Sequence, residues 1–309
     1  MSNAATFGLA ILNWNNAADT IECLQSLSAC VPLPDRVAIV DNASADDSLS
    51  RIQSWWEERN KSGTLSRDWL TLIPSQSNLG FAGGSNVGVR YLMSSSDVSH
   101  IVLLNNDTII PVDFFAKLRD AIDEAGNPGI IGPTIREHPA TDKVWYAGGR
   151  EYFHRGLVQH ELEVPSDMRP APTDFVTGCA MIIARDVIEK VGDLSEHFFP
   201  AYFEDGDLCH RAMRAGFSVV YAPRPVIYHK VGSTVRSQGL SHQLVYDKSR
   251  LRVIYVRRNY RGLNKAIALS YLALTKPGRM ILEAAKGNPS YGWQVLRGTL
   301  SGFLARGVT

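Results

Sequence analysis

Cysteine is scarce, and the little there is forms no pattern. Cys23, Cys30, Cys179 and Cys209 make no CxxC pair and no zinc spacing, which removes a zinc ribbon or a redox motif from consideration. Each lies among apolar or helical residues, as expected of buried free thiols in a reducing compartment. Long hydrophobic runs are also missing. The longest apolar stretch, Ala266 to Leu274, is broken by Ser270 and falls far short of the roughly 20 residues needed to span a bilayer. Met1 to Ala5 show neither the basic start nor the apolar run of an export signal. Net charge is nearly absent at +1, so the protein as a whole is no polyanion binder and no nucleic-acid partner is expected. These absences predict a cytoplasmic protein.

What is present suits a globular enzyme. The 309 residues suffice for one large or two ordinary domains with a sizeable core. The 45% hydrophobic and 20% charged content is ordinary. The charge is unevenly placed, however. From Leu240 onward there are twelve Lys and Arg against Asp247 and Glu283, so residues 1–239 are acidic overall. Such asymmetry points to a tail that meets something negative.

Phe7–Leu12, Val37–Val40, Trp69–Ile73 and His100–Leu104 are short apolar runs that end in polar residues or, at Pro74, in proline. Helical patterns separate them. One is started by Asp19 and reaches about Ala29; another is capped by Asp46 or Asp47 and carries Leu49, Ile52, Trp55 and Trp56. A third runs from Val112 to Ala125, before a fifth strand at Ile130–Ile135. Strand and helix alternating at this spacing predict an α/β fold with a mostly parallel central sheet flanked by helices. Further on, Asp174 to Ile183 reads as a turn into a buried strand. Arg185 to Val191 is a short helix closed by Gly192, and Ser218–Tyr221 and Val226–Tyr228 are short strands around Pro223 and Pro225.

Three strands end in polar residues: Asn13 with Asn15, Asp41 with Asn42, and Asn105, Asn106 and Asp107. Parallel neighbours bring such ends together, at the edge where open α/β sheets bind ligands. Asp107 is placed to hold a hard cation through carboxylate oxygen, or to make an Asx turn. Asp41 either accepts the N3–H of a pyrimidine or serves as a turn residue before the next helix. The stretch Asn78-Leu79-Gly80-Phe81-Ala82-Gly83-Gly84-Ser85-Asn86 allows close backbone approach, and the helix it opens can offer N–H groups to an anion. It lacks the P-loop lysine, and it follows the third strand rather than the first, which excludes a Rossmann fingerprint. Glu204, Asp205 and Asp207 follow an aromatic run at a helix start. They compensate the helix dipole, or the aromatic lead-in buries them and raises a pKa into the range of a general base. His229, at a strand end, is structural or completes a metal site.

Four stretches in order resemble the inverting family 2 glycosyltransferases: Val40-Asp41-Asn42-Ala43-Ser44, Asn78 to Gly84, Leu104-Asn105-Asn106-Asp107, and Tyr202-Phe203-Glu204-Asp205-Gly206-Asp207-Leu208. The likeness is to the rhamnosyltransferase and galactofuranosyltransferase branch and covers Phe7 to about Thr234. It implies a GT-A fold, with Asp41 on the pyrimidine base and Asn13, Asn78, Gly80, Phe81, Gly84, Asn86, Asn105 and Asn106 around the nucleotide sugar. Asp107 would be the metal ligand, joined by His229, for Mg²⁺ or Mn²⁺. Asp205 would be the catalytic base, with Glu204 positioning the acceptor. The donor would be a dTDP- or UDP-sugar, and the acceptor a saccharide or a lipid-linked glycan. Asn105 and Asn106 stand where the family motif carries acids, which weakens metal binding by the protein alone. That departure also supports a rival reading: a non-catalytic sugar-nucleotide or glycan-binding module on the same fold.

Val144 to Arg150 suits a loop under a sugar face or a core hairpin, and Glu161 to Pro172 a mobile loop near the acceptor. The expected division is a catalytic domain over 1–239 and a basic helical extension over 240–309. In the extension, helices are expected from about Ser241, over Leu263–Thr275, over Gly278–Lys286 and over Tyr291–Ala305. A basic amphipathic tail suits the inner face of the cytoplasmic membrane. It equally suits a cap on the catalytic domain, or a second subunit in a homo-oligomer.

Overall fold

The computed structural model describes residues 5–61, 63, 65–231 and 242–307. The boundary expected at 239/240 and the end of the resemblance near Thr234 lie outside the described residues. The first half alternates as expected: β1 (Phe7–Asn13), α1 (Ala17–Ser28), β2 (Arg36–Asp41), α2 (Ser48–Lys61), β3 (Leu70–Pro74), α3 (Gly80–Met93), β4 (His100–Asn105), β5 (Thr108–Ile109) and α4 (Phe114–Glu124). The start of α1 is set by Asn16, not Asp19. Its Oδ1 accepts from the Asp19 N–H, and its Nδ2 donates to Asp19 Oδ2 at 2.7 Å, a reciprocal cap of the helix entry.

Strands β3, β2, β1 and β4 lie side by side and parallel. From β1 the chain runs outward to β2 on one side, and β4 joins on the other. The carboxyl ends of β1, β2 and β4 therefore flank a topological switch point, where a crevice opens. The second half extends the sheet with β6 (Ile130–Glu137), β7 (Val144–Tyr146), β10 (Ala171–Pro172), β11 (Ala180–Ala184) and β12 (Val219–His229). The full order is β10-β12-β6-β11-β4-β1-β2-β3, with β5 on β12 and β7 on β6. β11 runs antiparallel between β4 and β6. The two short strands expected around Pro223 and Pro225 are one strand, whose register slips between Ala222 and Val226. The irregularity takes up the missing proline donors and lets pairing with β6 resume as far as His229.

Buried Leu9, Ile11, Val37, Ile39, Val102 and Leu104 pack one face of the sheet against α1, α2 and α4. Ala10, Ala38, Ile101 and Leu103 pack the other against α3 and α6 (Glu204–Arg214). Between them in sequence lie the hairpin β8 (Gly149–Tyr152) and β9 (Leu157–His160), and α5 (Arg185–Val191).

The extension forms α7 (His242–Asn259), α8 (Gly262–Ala285) and α9 (Pro289–Leu304). The break expected at Pro277 does not occur, and α8 runs through it. An internal proline costs a helix about 3 kcal/mol. Packing offsets this on both sides: Ala268 and Leu272 are buried before the proline, and Gly292 of α9 sits against Met280 after it.

α7 is built onto the α/β part by two buried acids. Asp207 accepts from Arg211 in its own helix and from Arg258 and Asn259 at the end of α7, all at 2.8–2.9 Å. It is thus a tie between helices. Glu151 of β8 accepts from His210 at 2.7 Å, from Tyr255 at 2.9 Å and from Tyr260. Removing it orphans three buried donors, so Glu151→Ala should cost ~3 kcal/mol of stability, the usual loss on breaking a buried ionic group. A shift in denaturant midpoint without a change in slope checks this.

Candidate active site

A cavity of about 860 Å³ opens at the carboxyl end of β4. Phe81, Asn105, Asp107, Glu204, Asp205 and His229 line it together with Trp145, His160, Phe175, Thr177, Cys179 and Tyr202. Strand pairing explains the pair on one side. β5 runs antiparallel to β12 so that Thr108 faces His229. Asp107, one residue earlier, then lies 3.1 Å from His229 Nε2 through Oδ1. Trp145 packs its edge against both His229 and His160, at 4.7 and 4.5 Å between ring centres. Val144 to Tyr146 is therefore both core hairpin and cavity wall: Tyr146 is fully buried and Trp145 faces the site.

With no cation bound, the His229 pKa is raised. Burial pushes its pKa down, but Cys179 and Asp107 push it up by more. Burial also raises the Cys179 thiol, which therefore stays neutral at pH 7. The Asp107 carboxylate is then the group that favours the charged ring. His229 Nδ1 is buried with no hydrogen-bond partner. Among the described residues no group of three or more His, Cys, Asp or Glu could hold a metal ion. Asp107 and His229 fit a cation only as part of a set completed by another molecule, as when Mg²⁺ is shared between one or two carboxylates and a diphosphate. The carboxylate facing Nε2 agrees with that arrangement.

The opposite wall is the start of α6. Tyr202 and Phe203 hold φ of +89° and +74°, a left-handed conformation that costs side-chain-bearing residues energy and recurs at functional sites. The turn places Glu204 and Asp205 next to each other at the cavity. Burial raises both carboxyls. They differ in what opposes it. Asp205 Oδ2 accepts from Gly178 N at 3.1 Å and Oδ1 from Gly206 N at 2.8 Å, and nearby His160 adds to the lowering. Glu204 has Oε2 buried without a partner and feels the Asp205 charge. Glu204 is pushed up further, so Asp205 is the member that ionises first.

The other residues singled out in the sequence fall into two groups. Asn13 and Asp41 do not line the cavity but are linked towards Asn105 and Asp107 by a chain of hydrogen bonds that ends at Asn106. Asp41 Oδ1 accepts from Asn13 Nδ2 at 2.7 Å, Asn13 Oδ1 from Thr20 Oγ1 at 2.7 Å, and Thr20 Oγ1 from Asn106 Nδ2 at 2.8 Å. Asp41 also makes the turn contact expected of it, accepting from Ser44 N at 3.0 Å. Asn78 joins this end through Asn42, whose Nδ2 donates to Asn78 Oδ1 at 3.1 Å.

Asn86 and Gly84 correct the expectation. Asn86 is fully buried, and its amide is spent on Leu194, donating at 2.8 Å and accepting at 2.9 Å. It clamps the 194–196 segment and faces no ligand. A Cβ on Gly84 would meet Leu12 at 2.4 Å, so this glycine serves close packing of α3 on β1. The N–H groups at the start of α3 are also largely taken: Leu79 by Asn42, Gly80 by Asn78, and Phe81 by Pro200. Gly80 itself, at φ +70°, is needed for the entry turn. Residues 161–172 contribute nothing to the cavity wall, which comes instead from Leu157, Val158 and His160. His160 gave no sequence signal, being a lone histidine in a polar stretch. Burial lowers its pKa.

Comparison with known proteins agrees with this geometry. A family described as glycosyltransferase like family 2 matches residues 4–255. The chain belongs to this family. Over 219 residues it is 26% identical to the low-salt glycan biosynthesis hexosyltransferase Agl10 of Haloferax volcanii, covering 68% of this chain and 62% of that one. Over 252 residues it is 27% identical to the N-acetylglucosaminyl-diphospho-decaprenol L-rhamnosyltransferase of Mycobacterium tuberculosis, covering 73% and 76%. Among solved structures, GalNAc-T7 with UDP, GalNAc and Mn²⁺ superposes with a TM-score of 0.64 at 13% identity, covering 96% of this chain and 57% of that one. The Pyrobaculum calidifontis mannosyltransferase with GDP-Man and Mn²⁺ gives 0.59 at 14% identity, covering 98% and 88%. The family 2 member thus has the GT-A fold, with a helical extension at its C-terminal end.

Proposed function

We propose that this family 2 member is an inverting, metal-dependent glycosyltransferase. It moves rhamnose or a similar hexose from a dTDP- or UDP-sugar to a saccharide or lipid-linked glycan. The observation that carries the reading is the cavity itself, with the Glu204–Asp205 pair on one wall and the Asp107–His229 pair on another. Asp205, the more readily ionised carboxylate, takes the proton of an acceptor hydroxyl. That oxygen attacks the anomeric carbon as the bond to the diphosphate breaks, and the nucleoside diphosphate leaves from the opposite face. One displacement inverts the configuration and needs no protein nucleophile. Glu204, kept protonated, donates to and positions the acceptor. Asp41 and Asn13 hold the pyrimidine end, with Asn78, Gly80 and Phe81 beside it and Asn105 and Asn106 leading to the metal. Asp107 and His229 would hold a divalent metal, Mg²⁺ or Mn²⁺, which would supply neutralisation of the leaving group's charge. Residues 1–239 form the catalytic unit in this reading, and 240–309 an extension that shapes the acceptor side.

The extension also supports contact with an anionic membrane surface on the cytoplasmic side. No described helix is long and apolar enough to cross a membrane. α8 exposes Leu263, Ile267, Leu274 and Ile281 on one face, and α9 exposes Trp293, Leu300 and Leu304 on one of its own. Arg261, Lys265, Arg279 and Arg297 lie on the same two helices or just before them. Apolar stripes with basic flanks suit an interfacial helix. The mycobacterial relative is named for a diphospho-decaprenol acceptor.

The test is release of nucleoside diphosphate from a panel of dTDP- and UDP-sugars with Mn²⁺, offered saccharide and prenyl-diphosphate-linked acceptors in anionic vesicles. One donor should turn over, and the protein should sediment with those vesicles and not with zwitterionic ones. The rival reading, a binding module without catalysis, takes its support from Asn105 and Asn106 in place of acids. Donor binding without release from any pair would establish it.

A further inference from the structure

The acids of the cavity face cations from the extension. Lys248 and Arg252 of α7 and Lys276 of α8 line the same space as Asp107, Glu204 and Asp205. Most other cations of these helices are engaged. Arg258 pairs with Asp207 at 2.9 Å, Arg279 with Glu283 at 2.8 Å, and Arg257 caps carbonyls at the end of α9. Lys248, Arg252 and Lys276 have no carboxylate partner among the described residues. Arg252 and Lys248 are held in place by other means. Arg252 Nε and Nη2 donate to the carbonyls of Gly156 and Arg155 at 3.0 and 2.9 Å. This fixes the guanidinium plane and leaves Nη1 without a partner among the described residues. The Lys248 ammonium sits 4.2 Å from the centre of the Tyr202 ring. Lys276 is pushed down to about 8 by burial and then by Arg252 and Arg279, which is the direction for an ammonium whose counter-charge comes from outside.

We propose that Lys248, Arg252 and Lys276 form a subsite for a phosphate or diphosphate carried by the acceptor. The inference rests on the cavity being the site of transfer. A neutral saccharide gives no reason to collect three cations without counter-ions, whereas a fixed guanidinium with two ammonium groups matches phosphate oxygens. The wall belongs to the acceptor side because Lys248 packs on Tyr202, two residues before Glu204. The donor diphosphate is assigned to Asp107 and His229, on strand ends. Lys276 also points inward from the helix whose opposite face carries Leu263, Ile267, Leu274 and Ile281. An acceptor with a lipid chain and a diphosphate would meet both faces of α8.

The test uses inorganic pyrophosphate as probe. The full chain is saturated with Mg²⁺ and whichever of UDP or dTDP binds it, and pyrophosphate is then titrated by calorimetry. The expected result is one further pyrophosphate bound per chain. Its affinity should fall at least tenfold in the Lys248→Gln/Lys276→Gln double variant, with nucleotide affinity unchanged. Arg252 is left in place because it also ties the hairpin to α7. Strict competition between pyrophosphate and the nucleotide would assign the wall to the donor and overturn the proposal. So would undiminished pyrophosphate binding in the double variant. Absence of any nucleotide binding in the wild type would instead strike the transfer-site reading, and the subsite with it.

Discussion

Asp205→Asn should abolish transfer while leaving nucleotide-sugar binding intact. Loss of a general base costs about 10²–10⁴-fold in rate, and here no second base is ready. Glu204, the adjacent carboxyl, is pushed up first of all by burial, and that burial persists when the Asp205 charge is removed. The substitution is mild for the fold. An asparagine still offers an oxygen to Gly178 N or Gly206 N, and the nucleotide pocket is built from other elements. Glu204→Gln should behave differently. A neutral amide resembles a protonated carboxyl, so that variant should keep most of its rate and change mainly KM for the acceptor. The pH profile gives a further readout. A base whose pKa is raised loses activity as pH falls through that raised value, so the acid limb of kcat/KM should lie above the ordinary aspartate range. Wild-type rates in Asp205→Asn, or equal losses in the two variants, would overturn the assignment of roles.

The sequence carried the fold further than the site. Apolar runs such as Ile101–Leu104, ended sharply by polar residues, already mark buried parallel strands, because a strand covered on both faces has no reason to alternate. The loop chemistry at their ends follows from the same pattern. What stayed hidden is non-local. Nothing in Ala180–Ala184 says that it runs antiparallel between β4 and β6, since that pairing depends on where the chain returns. Val219–His229 looks like two strands because its prolines are visible and its pairing partner is not. Pro277 reads as a helix end because the buried contacts that hold α8 on either side come from other elements.

The side chains show the same limit. Asn13 and Asn86 are the same residue type in equally suggestive motifs, yet one joins a hydrogen-bond chain to Asp41 and the other is consumed by Leu194. Direction is decided by packing, which composition does not show. His160, Arg252 and Lys276 reach the cavity from a hairpin and two helices with no motif of their own. Only the family resemblance, resting on four ordered stretches, brought Asp107, Glu204, Asp205 and His229 into one hypothesis. The structure then places all four on one cavity.

Asp107→Ala should remove metal-dependent donor binding, and this is the second large effect. Loss of a partner that only orients a metal ligand costs 10–100-fold in affinity, so loss of the single carboxylate on this wall should cost about 10²-fold or more. The reason lies in the count of ligands. With Asn105 and Asn106 in place of acids, Asp107 is the carboxylate this loop contributes, and His229 can add only a neutral nitrogen. Among the described residues there are too few groups to hold the ion without another molecule, so metal and diphosphate should bind together and depend on each other. Mn²⁺ titrated without nucleotide should therefore bind weakly, and UDP or dTDP should tighten it. His229→Ala should be milder, about tenfold, because the carboxylate and the diphosphate oxygens remain. Asp107→Ala also strips the buried His229 ring of its carboxylate. Asp107→Asn, which keeps an oxygen facing Nε2 and loses the charge, therefore separates metal binding from damage to the fold. Binding of the nucleoside monophosphate, which has no diphosphate to share a metal, should survive in all three variants. Unchanged metal dependence of donor binding in Asp107→Asn would mean that the cation, if the reaction uses one, is held elsewhere.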